Sequence, residues 1–179
     1  MVLYLGIPEN SGIDTNRFNY RLIWDKLSPW LNSSCQQVRP VIINLINRPL
    51  PQITRFDALV YLVGDPVYSV IARVGAPMLT DGLAVGRTSS WRGELISEVY
   101  TNAMHSYGIA ATIYHELLHN KFNLAYKFHG EPYGNFTSAE AAYTDGGPSA
   151  ADQRLMCRAL QTPPLAGQFT GGFSLPVAP

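Results

Sequence analysis

The segment Ser106–Phe128, SYGIAATIYHELLHNKFNLAYKF, predicts a long helix. It contains no proline, its only glycine is Gly108 near its start, and apolar residues recur every three to four positions. That spacing is typical of an α-helix with one face against a core. Directly upstream of Ser106 the apolar residues follow a period closer to two, so the segment also marks where strands give way to helix.

Six upstream segments have the composition of β-strands. Val38–Ile46 and Ala58–Val63 are nearly continuous apolar runs rich in valine and isoleucine, as strands buried on both faces are. Glu94–Tyr100 alternates polar and apolar residues, which predicts an edge strand directly upstream of the long helix. The other three predicted strands are Met1–Ile7, Tyr68–Val74 and Gly82–Gly86.

Two further helices are predicted towards the ends of the chain. Apolar residues recur at helical spacing from Thr15 to Leu31, and Ser149–Leu160 opens with a serine three residues before Asp152, which matches a capping box. The tail from Thr162 contains four prolines and three glycines and is expected to be irregular. The sequence therefore predicts an α/β (α+β) fold, a twisted mixed sheet with an N-terminal, a central and a C-terminal helix.

Composition narrows the class of protein. The 179 residues are 46% hydrophobic, and 13 basic and 13 acidic side chains give a formal net charge of zero. A chain of this length buries about 70% of its unfolded surface, which predicts one domain over residues 1–179. The lack of any basic run argues against nucleic acid as a partner. Without a long apolar run or a visible signal peptide, the chain is expected to be soluble and to have no membrane span; its compartment stays open.

The two cysteines are far apart in sequence and have no metal-like spacing. Two buried free thiols are the simplest interpretation of Cys35 and Cys157, and one disulfide is the alternative.

Three residues of the predicted central helix, His115, Glu116 and His119, form the pattern H-E-x-x-H. Residues four apart on a helix lie on the same face, so both imidazoles can bind one tetrahedral Zn²⁺. Glu116 would face a metal-activated water, whose pKa zinc lowers towards about 7, and would take its proton as general base. The pattern therefore predicts a zinc hydrolase.

The stretch YHELLHNKF resembles the active-site helix of the zincin metallopeptidases. The order of predicted elements is also similar to the metzincin branch and to small, divergent bacterial and phage metallopeptidases, although only HELLH is a specific motif. The resemblance implies a compact zincin-like domain, with an upper sheet and helix subdomain over residues 1–120 and a small loop-rich lower subdomain over 121–179. It also implies a peptide or protein substrate that lies along the edge strand.

The third zinc ligand is not supplied by the helix itself. The longer metzincin motif would place glycine at position 122 and histidine at position 125, where this chain has Phe122 and Ala125. His129, in FHGEPYG, is the first candidate, because the glycine after it would let the chain turn back beneath the metal. Glu140, in an arrangement resembling the gluzincins, and Asp145, similar to the aspartate-ligand zincins, are the alternatives.

These residues together predict a zinc-dependent endopeptidase that hydrolyses peptide bonds with Glu116 as general base. Tyr143 and Tyr133 are candidates to stabilise the oxyanion of the tetrahedral intermediate. Two other functions stay open: a zinc hydrolase of a non-peptide amide, and a non-catalytic virion, toxin or interaction module that retains a zincin fold.

Overall fold

The computed structural model describes residues 1–34, 39–44, 52–54, 56–76, 84–122, 146–161 and 167–171, and of residues 39–44 it describes the backbone alone. This part of the chain forms four α-helices and a mostly parallel, curled sheet, which confirms the predicted α/β class. The helices are α1 (Tyr20–Ser34), α2 (Val70–Arg73), α3 (Ser106–Phe122) and α4 (Ala150–Gln161). The strands are β1 (Val2–Ile7), β2 (Arg39–Asn44), β3 (Ala58–Val63), β4 (Gly86–Trp91), β5 (Glu94–Tyr100) and β6 (Gly167–Gln168).

The strand order is β2-β1-β3-β5-β4, with β4 antiparallel to β5 and the other neighbours parallel. The prediction that Glu94–Tyr100 is an edge strand is wrong. The second half of β5 pairs with β3, its first two residues pair with β6, and its other side pairs with β4 along its whole length. Its polar residues Ser97 and Glu98 are buried rather than solvated, so the alternation marks two polar clusters inside the protein.

Side chains alternate along each strand, so each face of the sheet carries its own set of residues. Helices pack against both faces. On one face Leu5, Val60 and Val99 pack in a cluster with apolar residues of α1, α3 and α4. On the other face Tyr61 and Tyr100 pack with residues of α2. Ser97 and Val99 share the α3 face, and the α3 face is therefore the one that carries the candidate site.

The segment Tyr68–Val74 is helical, although its composition predicts a strand. A 3₁₀ helix over Pro66–Tyr68 leads into α2. The Ser69 hydroxyl caps the Ala72 N–H at 3.0 Å, and the buried Glu98 carboxylate accepts the N–H groups of Val70 and Ile71 at 2.9 and 3.2 Å. These tertiary hydrogen bonds override the strand preference of the β-branched residues.

The described sheet has two edge strands, β2 and β4, and the sequence did not predict β4 beyond Gly86. Residues 82 and 83 of the predicted strand Gly82–Gly86 lie outside the described residues. Arg92 and Gly93 join β4 to β5 with φ values of 50° and 84°, the left-handed conformation that a two-residue type I′ hairpin requires. The hairpin fixes the register in which Thr88 lies opposite Ser97.

The observed ends of α1 differ from the predicted ones, whereas the predicted start of α4 is confirmed. The Asn19 side chain accepts the Leu22 N–H at 3.2 Å, and α1 therefore begins five residues later than predicted and continues past Pro29. The predicted capping box of α4 is confirmed, since the Ser149 hydroxyl accepts the Asp152 N–H at 3.1 Å and the Asp152 carboxylate accepts the Ser149 N–H at 2.7 Å. The tail expected to be irregular contributes the short strand β6.

Two further predictions concern cysteines and membranes. Cys157 on α4 is disulfide-bonded rather than a free thiol, and Cys35 lies outside the described residues. In the described ranges no helix is both long enough and apolar enough to cross a bilayer. The proposed division at residue 120 stays a prediction.

Candidate metal centre and general base

The helix α3 is capped at its N-terminal end and is tied at its C-terminal end to the residues that lead into β3. His105 Nδ1 accepts the Gly108 N–H at 3.2 Å before the first turn, as an N-cap side chain does. In the last turn, the Lys121 ammonium donates to the backbone carbonyls of Phe56 and Asp57 at 2.9 and 2.7 Å. Burial lowers the pKa of Lys121 to about 8, partly offset by the charge of Asp57. These contacts fix the turn that carries His119.

The two histidines of the motif converge. Their Nε2 atoms are 3.0 Å apart, their ring centroids are 4.7 Å apart, and the ring planes cross at 71°. Each side chain is 8% exposed. Two nitrogens bound to one tetrahedral zinc at about 2.0–2.1 Å lie about 3.3 Å apart, so His115 and His119 fit two positions of such a site.

Glu116 lies on the neighbouring face of α3, against β4. The residue is 3% exposed, and Oε2 of its carboxylate accepts a hydrogen bond from the Thr88 hydroxyl at 2.6 Å. Burial raises the pKa of Glu116 to about 8; the Thr88 bond and the charge of Arg87 oppose this rise, and the charge of Glu98 adds to it. A divalent cation beside the carboxyl would lower that pKa, because a positive charge favours the ionised form.

β4 approaches Glu116 closely at Gly86. A Cβ at this position would lie 2.6 Å from the Thr112 methyl group and 2.8 Å from Oε1 of Glu116. Only a glycine allows the strand to pass the helix at this distance. The edge strand and the predicted base are thereby placed side by side.

A largely buried polar network lies beside Glu116, and the sequence predicts a role for none of its other members. Asn120 donates to the Ser97 hydroxyl at 2.9 Å and exchanges two hydrogen bonds with Gln168, at 2.9 and 3.0 Å. Ser97 and Thr88 hydroxyls are 2.9 Å apart. Four polar residues at these positions carry no recognisable motif, since their meeting depends on strand register and on β6.

The third-ligand candidates His129, Glu140 and Asp145 lie outside the described residues, as do Tyr133 and Tyr143. Within the described ranges no three His, Cys, Asp or Glu side chains are grouped so that they could hold a metal ion. The described part of the site therefore contains the two predicted ligands on α3 and the predicted base, and His129 stays a prediction.

Comparison of the chain with protein-family models, with curated proteins and with solved structures finds no match.

Proposed function

We propose that this chain is a zinc-dependent endopeptidase with a zincin-like fold. The observation that carries the proposal is the pair of buried imidazoles whose Nε2 atoms lie 3.0 Å apart on α3, with the carboxylate of Glu116 on the intervening residue. The antiparallel edge strand β4 beside this helix supports the proposal, because the resemblance to zincins implies a substrate that lies along an edge strand.

His115 and His119 would hold the zinc, with His129 as the proposed third ligand. Zinc bound by these residues would supply a Lewis acid, which would polarise the scissile carbonyl and lower the pKa of water to about 7. Glu116 takes a proton from the attacking water as the oxygen adds to the carbonyl carbon. The same carboxyl then gives that proton to the amine nitrogen as the C–N bond breaks, so the base is regenerated.

The substrate-binding strand in this proposal is β4 rather than β5. In zincins an extended peptide adds to the edge strand above the active-site helix, and β4 is the edge strand that contacts Glu116. The hydrogen bond from Tyr100 N to Val85 O, at 2.9 Å, sets the pattern of the β4–β5 ladder. In that pattern the N–H groups of Thr88 and Ser90 point away from β5 and towards a further strand.

A matched pair of proline variants tests this assignment. Ser90→Pro removes an outward donor and should lower kcat/KM for peptides about 3- to 10-fold, the worth of one hydrogen bond, with zinc content unchanged. Ser89→Pro removes a donor to β5 and should instead lower the free energy of unfolding by about 1–3 kcal/mol. Peptide kinetics, metal analysis and urea denaturation provide the measurements. A Ser90→Pro variant with wild-type kcat/KM would contradict the assignment of β4.

The proposed activity itself is tested by zinc-dependent cleavage of a mixed peptide library. The substrate class stays general, because backbone hydrogen bonds along an edge strand bind peptides with little dependence on their sequence.

A further inference from the structure

The hydrogen bonds of the polar network beside Glu116 run in one donor-to-acceptor direction. A backbone N–H at the far end of the network determines this direction. The Leu59 N–H can only donate, and it donates to Oε1 of Gln168 at 3.1 Å. The amide nitrogen of Gln168 therefore faces the Asn120 oxygen, at 3.0 Å. This assigns the Asn120 amide as well: its nitrogen is the atom directed at Ser97.

The direction continues through two hydroxyls to the carboxylate. Because Ser97 Oγ accepts from Asn120 at 2.9 Å, its own hydrogen is available for Thr88 Oγ1, 2.9 Å away. Thr88 then donates its hydrogen to Oε2 of Glu116 at 2.6 Å, a shorter contact than the 3.4 Å to the Glu116 backbone carbonyl. Successive hydrogen bonds of this kind polarise one another.

The β4–β5 register explains why the two hydroxyls meet. Thr88 and Ser97 are directly opposite each other, in a pair that exchanges no backbone hydrogen bonds, where side chains come closest. Both side chains lie on the α3 face of the sheet. Glu116 and Asn120 project towards them from α3, about one helical turn apart. The carboxylate is thereby bonded to the edge strand at one defined atom.

We propose that Thr88 is a positioning residue for the base: held by Ser97, Asn120 and Gln168, its hydroxyl binds Oε2 of Glu116 and so fixes the position of the carboxylate. This inference rests on the proposed function, in which Glu116 is the general base. It adds that a hydroxyl on the edge strand β4, together with the helix α3, orients the Glu116 carboxylate.

The test compares Thr88→Val, which removes the hydroxyl at constant shape, with Thr88→Ser, which keeps it. Thr112→Val is the matched control, because the Thr112 hydroxyl bonds the Gly108 carbonyl of its own helix at 2.8 Å. Thr88→Val should lower kcat about 10- to 100-fold, the usual cost of losing a supporting contact, with KM and zinc affinity within about twofold. Thr88→Ser should restore most of kcat, and Thr112→Val should retain it.

Crystal structures of the same variants give a readout that does not depend on turnover. The Glu116 carboxylate should move from its wild-type position, or occupy two positions, in Thr88→Val but not in Thr88→Ser. Ser97→Ala, which breaks the network one step earlier, should displace it in the same way and serves if Thr88→Val does not fold. An unmoved carboxylate in the hydroxyl-deficient variant would overturn the proposal. A displaced carboxylate in a protein that cleaves no peptide would instead support the positioning role of Thr88 and contradict the proposed peptidase activity.

Discussion

Glu116→Gln is expected to lower peptide turnover by about 10²- to 10⁴-fold, the usual contribution of a general base. Glutamine has the shape of glutamate and its amide oxygen can still accept the Thr88 hydroxyl, so α3 and β4 should stay in place. The amide cannot take a proton near neutral pH. Zinc content should remain that of the wild type, because the histidine ligands are unchanged. Steady-state kinetics and metal analysis on the same preparations measure both quantities.

Glu94→Gln is the matched control for this variant. Glu94 is an exposed carboxylate at the start of β5, so its neutralisation removes the same charge away from the site. It should leave turnover and zinc content unchanged. Wild-type turnover in Glu116→Gln would show that Glu116 is not the base.

His129→Ala is expected to cost much more zinc affinity than Glu140→Ala. Loss of a metal ligand removes a coordination bond, whereas loss of a supporting residue costs about 10- to 100-fold. His119→Ala gives the scale for a lost ligand, because His119 is one of the two convergent imidazoles. His105→Ala is the matched control, since this histidine caps the first turn of α3 and should not affect zinc affinity. Competition with a chromogenic chelator measures all four variants.

A reversed ranking, with Glu140→Ala as costly as His119→Ala, would indicate the gluzincin arrangement. Equal and small losses for His129→Ala and Glu140→Ala would move the assignment to Asp145.

The parts of the fold that local sequence determines were predictable. α3 contains no proline and only one glycine, Gly108 near its start, and α4 begins with a capping box whose two hydrogen bonds form as expected. β3 is a continuous apolar run and is buried on both faces. In each case the preferred local conformation and the tertiary environment agree.

The parts that long-range contacts determine were not predictable. β4 has the sequence GRTSSW, in which Thr88 faces a polar network instead of an apolar core, so no hydrophobic alternation marks the strand. α2 is helical because Glu98, 27 and 28 positions away in sequence, accepts two of its N–H groups. The edge position of β4 follows from pairing between strands, which composition does not encode.

The candidate site likewise contains some residues that the sequence predicts and others that it does not. His115, Glu116 and His119 are recognisable because their spacing on one helix is itself the geometry of the site. Thr88 and Gln168 reach the same region from 28 residues upstream of Glu116 and 48 residues downstream of Asn120. No spacing rule connects them, so only the folded structure brings them into one hydrogen-bonded network with Glu116.

The central claim, zinc-dependent peptide hydrolysis, is tested most directly by incubating the protein with a mixed peptide library and identifying products by mass spectrometry. The experiment is run on protein as purified, after zinc removal by a chelator, and after zinc is returned. We predict about one zinc per chain. We also expect internal cleavage of peptides several residues long, which stops when zinc is removed and resumes when it is restored. Protein that holds its zinc and cleaves no peptide in the library would contradict the claim and favour a non-catalytic module or a hydrolase of non-peptide amides.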